Sequence, residues 1–162
     1  MEVSQSEEHY TMVDVGIFVG SVYGNAQHVA EQVEEMLAEK GHNVELFIDG
    51  TLDNFKQTKS VIFISSTTGQ GDLPPNLEFL IMDMKDTMPL MDQKPFAVVG
   101  LGDSSYSDSF CGAGKQIFEV LVELQGQPVA DLFIVDVMET LEPEAEVLPW
   151  IESILPKLIA SQ

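Results

Sequence analysis

The strongest constraint in this chain is an alternation. Short apolar runs of strand length are separated by longer segments in which apolar residues recur at helical spacing. Val13 to Gly20 (VDVGIFVG), Asn43 to Ile48 (NVELFI), Ser60 to Ser66 (SVIFISS), Pro95 to Gly102 (PFAVVGLG) and Val129 to Val137 (VADLFIVDV) read as strands. The first, third and fourth are nearly continuous in apolar residues, as a strand covered on both faces requires. Asn25 to Lys40 puts Val29, Val33, Met36 and Leu37 on one helical face and stops at Gly41. Pro75 to Thr87 is a helix opened by proline, Gly114 to Leu124 spaces Ile117, Val120, Leu121 and Leu124 helically, and Val147 to Ala160 is the last helix. Residues 49–59 leave room for one or two helical turns around Leu52 and Phe55, and the acidic stretch Glu139–Glu146 reads as a connection. Strands alternating with helices build a parallel sheet wrapped on both sides. The expectation is an α/β, doubly wound, five-stranded sheet in the order 2-1-3-4-5, with ligands held beyond the carboxyl ends of strands 1, 3 and 4.

Charge narrows the function classes. Twenty-seven acids face seven bases, a net charge of −20, and every base is lysine. Such a surface repels phosphate backbones and anionic lipid, so neither nucleic acid nor a membrane is an expected partner. Without arginine there is no planar fork for phosphatase loops or arginine fingers. No apolar stretch approaches the roughly 20 residues of a membrane span. The first residues, MEVSQSEEHYT, lack the basic start and apolar middle of a signal peptide. Residues 1–11 are expected to form a flexible extension, and 12–162 a single domain. Cys111 is the only cysteine, and His9, His28 and His42 are scattered, so no disulfide or metal centre is expected. A reducing cytoplasm fits this usage, and the chain is expected to act as a monomer.

The three loops at the expected ligand edge are unusual. The first, Gly20-Ser21-Val22-Tyr23-Gly24-Asn25-Ala26, runs from a strand into a helix with small and hydroxyl residues. Its backbone N–H groups can close around a phosphate at the helix start. It has no lysine, unlike the GxxxxGK loop of nucleotide hydrolases, so a single phosphate held by neutral donors fits better. The second, Ser65-Ser66-Thr67-Thr68-Gly69-Gln70-Gly71-Asp72-Leu73-Pro74-Pro75, follows four hydroxyl residues with two glycines around Gln70. Glycines there let backbone approach a planar ligand closely. The third runs from Gly100 to Cys111 (GLGDSSYSDSFC) and sets Tyr106 among small polar neighbours, where its ring can stack on a flat ligand.

Taken together and in this order, the loops resemble the FMN-binding loops of flavodoxins, over nearly the whole chain from Met12. SSTTGQGDLPPN and GLGDSSY…FCGAGK are similar to the short-chain bacterial flavodoxins of the MioC-like group, and to the FMN domains of diflavin reductases. The resemblance implies that Ser21, Val22, Tyr23, Gly24, Asn25 and Ala26 cradle the FMN phosphate. It implies that Ser66, Thr67, Thr68 and Gly69 border the flavin ring, with the Gly69 carbonyl at flavin N5. Leu101, Gly102, Asp103, Ser104 and Tyr106 would line the other side, Tyr106 stacking on the ring, with Phe110 and Cys111 closing the loop. This chain departs from many relatives in carrying Thr68 where they place an aromatic, which makes Leu73 or Tyr23 the candidate cover for that face. It also carries one more residue between Tyr106 and Phe110.

The function so implied is a low-potential one-electron carrier on non-covalently bound FMN. Its electrons would come from a basic NADPH-dependent flavodoxin/ferredoxin reductase and pass to acceptor redox enzymes. Asp72, Asp103 and Asp108 would make extra negative charge on the flavin costly. The alternative is a small FMN-dependent oxidoreductase of the quinone reductase type. A signalling receiver on the same topology needs an acidic pair after strand 1 and a lysine after strand 5, where this chain has Gly20-Ser21 and Met138-Glu139. Cys111 has no basic neighbour in sequence and reads as a packed thiol.

Overall fold

The structure, a computed structural model, describes residues 12–68, 71–103 and 111–160. The proposed extension at residues 1–11 lies outside them. In chain order the elements are β1 (Val13–Gly20), α1 (Asn25–Glu39), β2 (Val44–Phe47), α2 (Leu52–Lys56), β3 (Thr58–Ser66), α3 (Pro75–Thr87), β4 (Pro95–Gly102), α4 (Gly112–Glu123), β5 (Gln127–Pro128), β6 (Phe133–Asp136) and α5 (Pro143–Ile159). The sheet is parallel throughout, in the order β2-β1-β3-β4, with β5 and β6 both on the free edge of β4.

The expected 2-1-3-4-5 order is present, with one correction at the fifth position. The run Val129 to Val137 is not one strand. Pro128 pairs with Phe96 and Phe133 with Val99, so the edge chain advances five residues while β4 advances three. The N–H groups of Gln127 and Val129 bond the carbonyls of Lys94 and Phe96. Pro128 therefore has its missing donor on the open side, the position an edge strand tolerates. The chain then bends at Val129 and Ala130 and rejoins the sheet at Phe133.

A second correction concerns the last helix, which starts at Pro143 rather than Val147. Proline suits the first helical position, and Glu144 and Glu146 sit in the first turn, where the helix field favours carboxylates. The acidic connection is thus partly helix. The fourth helix likewise starts at Gly112, two residues before the expected Gly114.

Alternate strand residues feed two cores. Val15, Ile17, Val19, Ile62, Ile64, Val99 and Leu101 pack on α1 and α5, an aliphatic layer. Phe18, Phe63, Phe96 and Val98 pack on α3, α4 and Phe55 of α2, an aromatic layer. Phe18 lies at its centre, stacked on Phe47 at 4.8 Å and Phe63 at 5.1 Å. Trp150 of α5 stacks on Phe133 at 4.6 Å, anchoring that helix to the edge strand. No described helix is long and apolar enough to cross a membrane.

Candidate functional site

Strand register brings the three loops together. Gly20, the last residue of β1, pairs with Ser65, which pairs with Gly100, which pairs with Ile134. The loops leaving β1, β3 and β4 therefore depart from one row across the sheet.

In the first loop, the Gly24 N–H donates to Ser21 Oγ at 2.9 Å, and the Gly24 carbonyl accepts from His28 N–H at 2.9 Å. Gly24 has φ of 92°, left-handed backbone that favours glycine. No side chain caps the first turn of α1, and that turn carries no acid. Its amide N–H groups thus face the loop as donors. Val22, Tyr23, Gly24 and Asn25 are exposed, Tyr23 to 92%, whereas Ala26 is buried. Gly20 has no room for a side chain: a Cβ would stand 2.6 Å from Ser65 Oγ and 3.0 Å from Leu77.

Asn76, near the start of α3, holds this loop in place. Its Oδ1 accepts from Ser21 N–H at 3.0 Å, and its Nδ2 donates to the carbonyls of Val19 at 2.8 Å and Ile48 at 2.6 Å. One side chain thus fastens the ends of β1 and β2 and the first loop. Sequence reading missed it, because an asparagine in the first turn of a proline-opened helix gives no sign of partners more than 25 residues away.

The second loop is a narrow hairpin. Thr68 and Asp72 exchange backbone hydrogen bonds at 2.9 and 2.7 Å, and Gly71 has φ of 92°. The Thr67 hydroxyl accepts from Ala113 N–H at 3.2 Å, and Gln116 donates to the Gly71 carbonyl at 2.7 Å. Backbone of Gly71 approaches Gly112 so closely that a Cβ there would lie 2.7 Å from Gly71 Cα. The second loop is thus fastened to α4, on which the third loop ends. Ser66, Thr67 and Thr68 are half-buried; Gly69 lies outside the described residues.

In the third loop, Leu101 and Gly102 are buried in β4 and Asp103 is half-buried. Ser104, Tyr106 and Phe110 lie outside the described residues, as does Asp108. Cys111 is fully buried at the N-cap of α4, with φ of 56°, and its thiol donates to the Gly100 carbonyl at 3.4 Å. Burial, against an opposing effect of Lys115 and with a smaller push from Asp136, raises its pKa to about 11. The thiol stays protonated at neutral pH, a packed group rather than a nucleophile. Of the two side chains expected to cover the other flavin face, Leu73 leans on the aromatic layer while the Tyr23 ring is exposed.

The geometry matches known proteins. A family model for flavodoxin covers residues 17–150. The chain belongs to the flavodoxin family. It is 41% identical over 143 residues to flavodoxin YqcA of Escherichia coli, a match spanning 87% of this chain and 95% of that protein. It is 28% identical over 142 residues to the MioC protein of the same species, over 88% and 96% of the two chains. A solved cysteine-to-serine variant of flavodoxin from Pseudomonas aeruginosa superposes with a TM-score of 0.85 at 36% identity, covering 90% of this chain and 98% of that one. Membership carries electron transfer on a flavin, FMN in this family, between redox partners; flavodoxins are electron carriers rather than enzymes. Among the described residues no three His, Cys, Asp or Glu side chains are grouped to hold a metal ion.

Proposed function

We propose that this flavodoxin binds FMN non-covalently at the row Gly20–Ser65–Gly100 and carries electrons singly, at low potential. The observation that carries this reading is the convergence there of one uncapped helix start, a glycine at positive φ and a hairpin tied to its neighbour. The residues present fit the cofactor. A phosphate needs donors and no bulk, and the first loop offers backbone N–H groups and the Ser21 hydroxyl beside open space at Gly24. Ser21, Val22, Tyr23, Gly24, Asn25 and Ala26 would hold the phosphate, with Ala26 contributing backbone only. Ser66, Thr67, Thr68 and Gly69 would border the ring on one side, and Leu101, Gly102, Asp103, Ser104, Tyr106 and Phe110 on the other. Buried Cys111 supports that side from beneath. Bound FMN supplies reversible one-electron chemistry.

This chain's own groups set the conditions. Asn76 orients the Ser21 N–H and ties the Ile48 carbonyl, just past β2, to it. The carboxylates of Asp72 and Asp103 place negative charge at the site and raise the cost of adding an electron. The same field attracts a basic partner and speeds encounter without tight binding. That partner is an NADPH-dependent flavodoxin/ferredoxin reductase, with acceptor redox enzymes downstream, in the cytoplasm, and this chain acts as a monomer.

Stepwise potentiometric reduction of the FMN-loaded protein tests the reading. Two separated one-electron steps are expected, the second well below the potential of free FMN. A single two-electron step near the free value would overturn it.

A further inference from the structure

A cleft of about 430 Å³ opens at the amino edge of the sheet, on the far side from the FMN loops. Met12, Met91 and Pro95 form apolar wall, and Lys59 and Asp92 line it beside Lys94. Lys94 is half-buried. Its Nζ donates to the Phe55 carbonyl at 2.8 Å and to Thr58 Oγ1 at 3.3 Å, and stands 4.3 Å above the Phe55 ring. Every one of these partners is neutral. Among the described residues no carboxylate lies within ion-pair distance of Nζ, although the chain carries 27 acids. Lys59 is committed to Asp14 at 3.6 Å.

We propose that Lys94 is an acylation site whose Nζ takes the acyl group of a small acyl phosphate in this cleft. The amine lone pair attacks the acyl carbon and a C–N bond forms. The C–O bond to phosphate breaks, inorganic phosphate leaves with the electron pair, and the amine proton passes to solvent. The amide keeps one N–H for the Phe55 carbonyl. Thr58 does not depend on Lys94, since its hydroxyl donates to the same carbonyl at 2.7 Å. The acyl chain meets the apolar wall; Lys59 lines the same cleft with its charge already paired to Asp14. Reactivity follows from burial without a counter-ion, which lowers the Lys94 pKa to about 8. About half of it is free amine at pH 8, against less than about 1% of an exposed lysine.

The test treats the FMN-loaded full chain with acetyl phosphate at pH 8, followed by Glu-specific digestion and mass spectrometry of each lysine. Lys94 is expected to acquire acetyl at an initial rate at least about 5-fold above exposed Lys85 and Lys157, with the excess vanishing in urea. A smaller excess in the folded protein, or one that persists in urea, would overturn the proposal.

Discussion

The carboxyl edge of the sheet carries Asp49, Asp72, Asp103, Asp136, Glu139 and Glu142, and Lys115 alone among the lysines starts a helix there. At the opposite edge lie Lys40, Lys56, Lys85 and Lys157, at or near helix ends, and Lys59 and Lys94, at the starts of β3 and β4. The parallel topology explains the division. Every helix ends at the amino edge, where its last carbonyls favour cations, and begins at the carboxyl edge, where N–H groups remain open. An anionic cofactor can therefore be held within an acidic rim, provided the donors are fixed in place. Geometry should matter more than charge at the carboxyl edge, whereas burial should set the behaviour of the amino edge.

Filling Gly20 should break the first half of that comparison most severely. Gly20→Val forces side-chain atoms into Ser65, Leu77 and Pro74, the last 3.2 Å from a Cβ. A loss of about 2–3 kcal/mol in stability is expected from such overpacking, with FMN affinity reduced at least about 100-fold. Urea denaturation and FMN titration report the two effects, and near-normal values in both would mean that the close approach of β1 and β3 is not needed.

Asn76→Ala should cost less, because it removes three hydrogen bonds without adding bulk. A destabilisation of about 1–3 kcal/mol and roughly 10-fold weaker FMN binding are expected. Asp72→Asn serves as the contrasting charge change. If it weakened FMN binding more than Asn76→Ala, charge rather than fixed donors would govern that edge.

The amino edge gives the smallest effect, and it depends on pH. Lys94 has a folded pKa of about 8, below its unfolded value. Below pH 8 both states hold the proton, and the fold bears the cost of a poorly solvated ammonium. Between about pH 8 and 10.4 the unfolded chain binds more protons, so this group's contribution to stability rises with pH. Cys111, with its pKa raised to about 11, works the other way: its contribution falls as pH rises above the unfolded thiol value. Replacing Lys94 with Met should remove the rising part from urea midpoints measured between pH 7 and 10, leaving FMN affinity within about 2-fold. An unchanged pH profile would mean that Lys94 is well solvated.

How much of this was legible in the sequence varies with its physical origin. Val13–Gly20, Pro75–Thr87 and Pro95–Gly102 have the boundaries expected, because unbroken apolar runs and a proline start are local signals. The split edge strand was not legible, since Val129 to Val137 has the composition of a strand and only pairing with β4 shows where it leaves the sheet. The start of α5 was hidden because acidic residues after Glu139 resemble a loop until Pro143 is seen at the first helical position. In the site, the loops stood out by composition. The ties between them did not: Asn76, Gln116 and the Gly71–Gly112 contact are ordinary residue types whose role exists only after folding.

The most direct test of the central claim is titration of the flavin-free protein with FMN, followed by visible absorbance and flavin fluorescence. Saturation at one FMN per chain, with the fluorescence quenched and with the Gly20→Val protein failing to bind, is the expected result. A protein that leaves FMN free in solution would contradict a flavin site at the carboxyl edge.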